Sequence, residues 1–528
     1  MKSLFAKSHL LCKRIFLCCA KLKSFLQLRV ARSGGWWPFL KLEIRFIQRN
    51  GLQGFKKRFL LLAQMFFGVE GSSQTPFQTI AEYGHWIKLY DEMTASQKQL
   101  MLKQVKESGN CPKISILIHF NNSQLGWLIN TIRSVLKQTY FNFEVCIASD
   151  LPEAVIRSCF KSNKIQSHQI KIKYCEPFLE VSKALNIAAD LAQGDFFATL
   201  KPGDLLSEQA MFLICSLVRK KPSVNIIYCD EDKIDTEGMR YEPHFKPDWN
   251  YDLFLSQNFI GEFVIYNQSI FRKLGGFQNL SGYHQYDLTM KCIEIISPDE
   301  IAHISKILYH SLSNIQDENY SRRKIKHKSK FVEGILNDHF KRKKISAKPK
   351  LMAIGMYRIH YSLHKKNPTV NLIIPTKNGF NLLKRCIESI FRKTRYNEYT
   401  ITIVDNGSDE QRTLDYLAFL KKHEKAKVIR DARPFNFSAL CNMAVAQSQC
   451  EFVALVNNDI EVISSDWLTE MVSLALQPKV GVVGAKLWYP DETLQHGGCI
   501  LGIGGVAGHA HRFLKKGKIG YMGRAAVT

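Results

Sequence analysis

Apolar residues follow two patterns along this chain: short continuous runs, and longer stretches with helical spacing. The runs in KISILIHFNN (113–122) and TVNLIIPTKN (369–378) are typical of strands buried on both faces, and each ends in polar residues. After the second run, apolar side chains recur every three or four residues at Leu382, Leu383, Cys386, Ile387, Ile390 and Phe391. Strands that alternate with helices predict α/β units with parallel sheets.

The strand–helix pattern occurs twice, at an offset of about 255 residues. The stretch KALNIAADLAQGDFFATLKPGD (183–204) returns as SALCNMAVAQSQCEFVALVNND (438–459). The repeat predicts two tandem α/β domains. The predicted divisions are a basic helical leader at 1–112, a first domain at 113–320, a basic helical linker at 321–368 and a second domain at 369–528.

The formal net charge of +26 is concentrated near the N-terminus, where residues 1–58 hold fourteen Lys or Arg and one acid. Apolar residues there have helical spacing at Leu11, Ile15, Cys18, Leu22 and Phe25. Such a helix either lies on an anionic membrane surface or packs on the protein itself. A nucleic-acid partner is the third interpretation of the charge, but the interleaved aromatic and basic residues of a stacking platform are missing.

The segment 321–350 is also basic, with twelve Lys or Arg and two acids. Helical spacing of its apolar residues favours a solvated basic helix over a nucleic-acid tract. The chain's fourteen Cys include no CxxC pair, which indicates reduced thiols in a cytosolic protein. No apolar run approaches the roughly 20 residues of a membrane-spanning helix.

Polar side chains end the predicted strands of both copies. They are Asn122, Asp150 and Asp204 in the first copy and Asn378, Asp405 and Asp459 in the second. Ligands bind beyond the carboxyl ends of parallel strands, so these residues predict a binding rim. An Asp with nearby amides suits Mg²⁺, which takes one or two carboxylates together with substrate phosphates. Neither a phosphate-binding GxxxxGK[ST] loop nor a GxGxxG turn is present.

Several stretches together resemble glycosyltransferase family 2. In the second copy they are NLIIPTKNGFNLLKRCIESI (371–390), TIVDNGSD (402–409), NFSALCNMAVA (436–446), FVALVNNDIEV (452–462) and VGVVGAKLWYPDETLQHGGCILGIGG (480–505); in the first they include IIYCDEDKID (226–235) and FKPDWNYDLFLSQNFIG (245–261). The resemblance implies tandem GT-A domains, a Rossmann-like α/β fold. It also implies inverting transfer from a nucleoside-diphosphate sugar to a glycan or lipid-linked acceptor, in O-antigen, lipopolysaccharide or other surface-polysaccharide assembly.

The resemblance also implies roles by position. Donor-binding residues would be Pro375, Thr376, Asn378, Asp405, Asn406, Ser408, Asn442 and Asn457. Asp459 would bind Mg²⁺ or Mn²⁺, and the first-domain counterparts would be Asn122, Asp150, Asn186 and Asp204. The expected location is cytoplasmic, peripheral at the inner face of the cell membrane.

Both copies depart from the family pattern. In the first, LKPGD (200–204) has Lys201 where an acid is expected, and HQYDL (284–288) has Gln285 at the position of the catalytic base, with Asp287 at that of a second acid. The second copy stops at 517–528, before the segment expected to carry a base, so the catalytic residue is not assigned. Two interpretations stay open: an active transferase, or an inactive or truncated member that acts as a nucleotide- or glycan-binding scaffold.

Two further clusters have two interpretations each. His496, His509 and His511 are either metal ligands or part of a loop near the sugar donor, and the loop is favoured. The acids Asp230, Glu231 and Asp232 are either catalytic or shape a turn beside the acceptor channel, and the turn is favoured.

Overall fold

The structure, a computed structural model, describes residues 77, 79–107, 111–121, 125–280, 282–313, 322–352, 356–363, 367–502 and 506–527. The chain forms two compact units, one of residues 1–73 and 499–510, the other of residues 74–498 and 511–528. In the former the structure describes an antiparallel hairpin, Cys499–Leu501 with Ala507–His509. Everything else below belongs to the latter. The predicted membrane-surface helix, near residues 11–25, lies outside the described residues.

The first repeat is built on a nine-stranded mixed sheet. Its strands are β1 (Ile114–Phe120), β2 (Phe143–Ser149), β3 (Ile170–Tyr174), β4 (Phe196–Leu200), β5 (Leu205–Leu206), β6 (Ile226–Ile234), β7 (Arg240–His244), β8 (Val264–Asn267) and β9 (Ile301–Leu312). The order is β3-β2-β1-β4-β8-β6-β9-β5, with β7 paired to β6. Strands β1 to β4 are parallel to one another, whereas β8 is antiparallel to β4.

Helices cover both faces of this sheet. They are α1 (Ile80–Tyr90), α2 (Ala95–Glu107), α3 (Leu125–Leu136), α4 (Glu153–Ser162), α5 (Val181–Leu191), α6 (Ala210–Lys220), α7 (Tyr251–Ser256), α8 (Gln268–Lys273) and α9 (His284–Ile293), with a 3₁₀ turn at Pro298–Glu300. The apolar faces of α3, α4 and α6 pack in one cluster, and those of α5 and α7 to α9 in another. Burial of apolar area in these two layers stabilises the repeat.

The basic linker forms α10 (Arg322–Lys343), followed by the hairpin β10 (Ala347–Leu351) and β11 (Tyr357–Tyr361). The predicted helix is therefore present. It is not simply solvated, because Ile335, Leu336 and Phe340 are buried in the core of the first repeat. A basic face with an apolar stripe is the pattern of a surface helix that packs on a globular body.

The second repeat has a four-stranded parallel sheet in the order β14-β13-β12-β15. Its elements are β12 (Val370–Thr376), α11 (Phe380–Lys393), β13 (Tyr399–Asp405), α12 (Gln411–Leu420), β14 (Ala426–Arg430), α13 (Phe437–Ala446), β15 (Phe452–Leu455) and α14 (Trp467–Ala475). The hairpin β16 (Leu487–Trp488) and β17 (Leu494–His496), a 3₁₀ turn at Tyr521–Gly523 and α15 (Arg524–Val527) follow.

The two sheets share one strand register. Ile114 pairs with Phe143 and Phe196, while Val370, 256 residues later, pairs with Tyr399 and Phe452. A peripheral hydrogen bond also recurs, since the Tyr140 hydroxyl donates to the Pro112 carbonyl and the Tyr396 hydroxyl to the Pro368 carbonyl. The common register identifies the counterpart of each strand-end residue in the other repeat.

Two further predictions concern the whole chain. Within the described part, no helix combines the length and the apolar character needed to cross a bilayer. No cysteine among the described residues forms a disulfide bond.

Candidate functional site

The strand ends of the second sheet meet at one edge, as the sequence predicts. Thr376 and Asp405 are opposite each other in the register of β12 and β13, and the Asn406 N–H donates to the Thr376 carbonyl at 2.8 Å. From the loop after β15, Asn458 Nδ2 donates to Thr376 Oγ1 at 2.9 Å. Residues from three strands are thereby connected along a single rim.

Pro375 lies in the central strand, where a missing N–H would usually break a ladder. Strand β15 pairs with β12 only as far as Ile373, and the Val456 N–H donates to the Ile373 carbonyl at 2.9 Å. Pro375 therefore lies beyond the end of that pairing, which explains why the sheet tolerates it.

Asp405 is held by two protein donors. It is only 2% exposed; its Oδ1 accepts the Ser408 N–H at 2.9 Å, and its Oδ2 accepts from Arg430 Nη1 at 2.7 Å. Arg430 also donates to the Ser408 carbonyl at 3.1 Å. Arg430 was not among the predicted site residues. It ends β14 and therefore lies at the same carboxyl edge of the sheet as Asp405, where ligands bind.

The predicted amides Asn378 and Asn406 connect loops to each other. Asn378 has a left-handed backbone (φ 53°); its Oδ1 accepts the Asp409 and Glu410 N–H groups, and its own N–H donates to Ser408 Oγ at 2.8 Å. Asn406 Nδ2 donates to two carbonyls of the loop after β14. These side chains give the rim its shape, and their contact with a nucleotide stays a prediction.

Asp459 differs from the other rim acid because it faces solvent. Its carboxylate makes no hydrogen bond or ion pair to any described residue, and Asn457 beside it is also exposed. Burial and the charge of Asp459 raise the pKa of the Cys386 thiol to about 12, which places that thiol close to the carboxylate. The predicted donor residue Asn442, on α13, is exposed as well.

The residues at this rim fit a divalent cation. Mg²⁺ and Mn²⁺ prefer oxygen ligands, and Mg²⁺ commonly uses one or two carboxylates with phosphates and waters completing the shell. An accessible carboxylate with no partner among the described residues, beside an exposed amide, provides such oxygens at Asp459 and Asn457.

The register corrects two predicted counterparts in the first repeat. Ser149, not Asp150, occupies the position of Asp405, because Phe120 pairs with Ser149 as Thr376 pairs with Asp405. Continued past the ends of β4 and β15, the same offset matches Gly203 with Asp459. Asp204 was predicted as the counterpart because the two loop sequences are similar at an offset of 255 residues, one residue less than the offset of the strand register.

Asp204 is a buried structural acid. Its Oδ2 accepts from the Tyr309 hydroxyl at 2.5 Å and its Oδ1 from the Leu312 N–H at 3.0 Å. Burial raises the pKa of this carboxyl to about 6, although the hydrogen bond from Tyr309 opposes the shift. Both oxygens are engaged inside the protein, so they face no ligand.

Gly203 stands at the position that matches Asp459, where an acid would be strained. Its φ is 102°, in the region that favours glycine, and a Cβ there would collide with the Leu312 side chain. The neighbouring Lys201 pairs with Glu262. A divalent cation would therefore meet a lysine at this point of the loop, and the accessible Glu262 carboxylate beside it is already paired with that lysine.

The remaining first-repeat candidates also have protein partners. Gln285 Nε2 donates to Thr199 Oγ1 at 2.8 Å, and Asp287 pairs with Lys291 at 2.6 Å. Asn186 donates to the Phe277 carbonyl and accepts its N–H, each at 2.9 Å. Asn122 lies outside the described residues.

The three consecutive acids lie on β6, so the predicted turn is wrong. Asp230 accepts from His303, Glu231 pairs with Lys246, and Asp232 contacts Tyr83, Arg240 and His310. Burial would raise the pKa of Glu231, but Lys246 and His244 outweigh it and lower that pKa to about 2. This cluster is neutralised by its neighbours, as a structural ion-pair network is.

The three histidines occupy different elements. His496 ends β17, and His511 lies in a turn, where burial lowers its pKa. His509 lies in the hairpin of the other unit. Their metal interpretation stays a prediction.

Comparison with known proteins gives matches over most of the chain. The family described as glycosyl transferase family 2 matches residues 115–275 and 371–515. The protein y4gI of Sinorhizobium fredii is 37% identical over 427 residues, which cover 80% of this chain and 47% of that protein. The O-antigen biosynthesis protein RfbC of Myxococcus xanthus is 28% identical over 445 residues, which cover 84% of this chain and 34% of that protein. This chain therefore spans about half of the former relative and a third of the latter.

Among solved structures, S. aureus TarS residues 1–349 in complex with UDP align with 43% of this chain and 72% of that chain. The identity is 18% and the TM-score 0.32.

Proposed function

The chain belongs to glycosyl transferase family 2, and from this premise we propose that it transfers a sugar from a nucleoside-diphosphate sugar to a glycan or lipid-linked acceptor. The observation that carries the proposal is the rim of the second sheet. It connects Thr376, Asp405 and Asn458 and ends at the exposed carboxylate of Asp459. Transfer would invert the anomeric centre by direct displacement.

The two ends of the rim suit the two parts of the donor. Arg430, which the buried Asp405 carboxylate holds in place, offers its half-exposed guanidinium to the nucleoside. Asp459 and Asn457 offer oxygen ligands on the diphosphate side. Mg²⁺ or Mn²⁺ bound by Asp459 would neutralise charge on the diphosphate leaving group.

The proposed acceptor rests on a relative, and the proposed location rests on the charge of the N-terminal segment. A relative named for O-antigen biosynthesis aligns with most of the chain, which favours surface-polysaccharide or lipopolysaccharide assembly. The basic segment 1–58 favours a peripheral position on anionic lipid at the cytoplasmic face. Flotation with phosphatidylglycerol vesicles tests the location: loss of flotation after neutral replacement of these lysines and arginines supports it, and flotation unchanged contradicts it.

We also infer that the first repeat does not transfer sugar. Ser149 and Gly203 stand at the positions of Asp405 and Asp459, and Gln285 cannot accept a proton. Its rim instead carries hydrogen bonds within the protein, through Asp204 and Asn186. A supporting or glycan-binding scaffold is the role that these substitutions favour for this repeat.

The decisive test is titration of the full chain with UDP, GDP, CDP and dTDP, with and without MnCl₂, followed by transfer assays with the matching nucleotide sugars. Asp459→Asn should weaken Mn²⁺-dependent nucleotide binding at least about tenfold, because a metal contributes several kcal/mol of charge stabilisation. Glu461→Gln removes the same charge from the same loop, where Glu461 pairs with Lys393 at 3.1 Å. This control should stay within about twofold, since an exposed pair contributes little.

Two results would overturn the proposal. One is the absence of Mn²⁺-dependent binding for all four nucleotides. The other is equal behaviour of Asp459→Asn and Glu461→Gln, which would show that only the loop's net charge matters.

A further inference from the structure

The loop that carries Asp459 is fastened to helix α11 at both ends. The Cys386 thiol donates to the Asn457 carbonyl at 3.6 Å. One turn later, Ser389 Oγ accepts the Val462 N–H at 3.0 Å and donates to the Cys386 carbonyl at 2.8 Å. Both side chains are buried, so water does not compete for these bonds.

The first repeat has the same arrangement with different chemistry. Thr131 Oγ1 donates to the Asp204 carbonyl at 2.8 Å, lies 3.4 Å from the Lys201 carbonyl and accepts the Gly203 N–H at 2.8 Å. One turn later, Ser134 Oγ accepts the Leu206 N–H at 3.2 Å and donates to the Thr131 carbonyl. By the strand register, Lys201 and Leu206 match Asn457 and Val462, so the two pairs hold equivalent loops.

The hydrogen bonds that hold the loop are weaker in the second repeat, where the loop is exposed. A thiol is a weak donor and its bonds are long, whereas a threonine hydroxyl makes ordinary short bonds. The second-repeat loop is held by a thiol, which also interacts with the Ile460 backbone, and by one serine bond, whereas hydroxyl groups make the corresponding bonds in the first repeat.

We propose that Cys386 and Ser389 are positioning residues that hold the Asn457–Val462 loop so that Asp459 presents its carboxylate at the rim. The inference rests on the proposed function, because it assigns the pair a role in binding the metal diphosphate. Cys386 acts through the loop, since it is buried and its thiol donates to the Asn457 carbonyl. The same geometry in the first repeat holds a loop without an accessible acid.

Threonine and valine at position 386 separate the hydrogen bond from packing, because the two side chains have nearly the same shape. Cys386→Thr should keep Mn²⁺-dependent affinity for the best-binding diphosphate of the UDP, GDP, CDP and dTDP panel within about twofold. Cys386→Val should weaken it about three- to tenfold, the usual effect of one hydrogen bond. Metal-free nucleotide binding should stay unchanged, which a merely structural loss would not allow.

Thr131→Val is the matched control in the first repeat and should leave the Mn²⁺-dependent affinity unchanged. Hydrogen exchange gives a readout independent of nucleotide: residues 457–462 should exchange faster in Cys386→Val than in Cys386→Thr, and Ser389→Ala should expose the Val462 amide. Equal exchange in the threonine and valine variants would overturn the inference. So would an equal loss of metal-free and metal-dependent binding. If the wild-type chain binds no diphosphate, the proposed function fails, while exchange still decides whether the pair holds the loop.

Discussion

Strands β4 and β15 occupy the same place in the two repeats, yet their surroundings differ. All five residues of β4 are buried, because β1 and β8 flank it. Strand β15 pairs with β12 alone among the described strands, and its Val453 and Leu455 are 42% and 55% exposed. One register and one order of elements therefore produce a core strand in one repeat and an edge strand in the other.

The better-packed repeat has the less accessible acid at its rim. The better-packed first repeat has filled its rim with internal bonds, such as those of Asp204 to Tyr309 and Leu312. In the more exposed second repeat, Asp459 has no partner within the part of the chain that the structure describes. The framework of this fold therefore persists while the residues at the strand ends change, because the core and the strand ends involve different residues.

The largest expected difference concerns leucines on the paired strands. Leu200→Ala should lower the stability of the first repeat by about 2–5 kcal/mol, since this side chain is only 2% exposed. Leu455→Ala should lower that of the second by less than about 1 kcal/mol, because more than half of its side chain is already in water. Hydrogen exchange of the β1 and β12 amides measures each repeat locally. Equal losses would mean that another part of the protein covers β15.

The matched asparagines Asn186 and Asn442 should show an intermediate difference. Asn186→Ala removes both bonds to the Phe277 backbone and should cost about 1–3 kcal/mol. Asn442 is exposed, so Asn442→Ala should change stability by no more than about 0.5 kcal/mol. Thermal melts and exchange of each repeat measure both variants. A large destabilisation by Asn442→Ala would show that this residue is structural and not reserved for the donor.

The smallest expected effect is a pH response of the first repeat. The folded pKa of Asp204 is about 6, above the ordinary 3.8, so lowering the pH through 6 stabilises the folded state through this group. Linkage gives a gain of about 1 kcal/mol by pH 5, complete below about pH 4 and lost as pH rises above 6. Position 460, its counterpart, is Ile and cannot titrate.

Comparison of wild type with Asp204→Asn isolates this response. His284, whose pKa burial lowers to about 4, acts with the opposite sign in the same range, but it is present in both proteins. The stability of wild type relative to the variant, from denaturant unfolding, should rise between pH 7 and pH 5. A pH-independent difference would show that Asp204 does not titrate in this range.

Much of the fold was predictable because apolar periodicity is local. The runs at 113–122 and 369–378 are strands, and Leu383, Cys386, Ile387 and Ile390 form the buried face of α11 as their spacing predicts. Leu382 is exposed, since a stripe of that width exceeds the covered face. The family resemblance is confirmed by matches in both repeats.

The counterparts of the site residues were harder to predict, because similar letters in LKPGD and VNNDI do not reveal a one-residue displacement. Only the hydrogen-bond register shows that Gly203 and Ser149 replace the two acids. Arg430 and Cys386 were not predicted as site residues for a related reason. A salt bridge across strands and a thiol bond across a helix and a loop join residues 25 and 71 positions apart.

The sequence by itself determined the two strand–helix repeats and the strand ends that carry polar residues. The pattern of apolar and polar residues along the chain sets which side chains are buried. Tertiary structure alone decided which acids stay available. Asp204 and Asp459 have the same carboxylate, but one is enclosed by Tyr309 and Leu312 and the other meets solvent. The free energy of a charged group depends on the atoms around it, and those atoms come from distant parts of the chain.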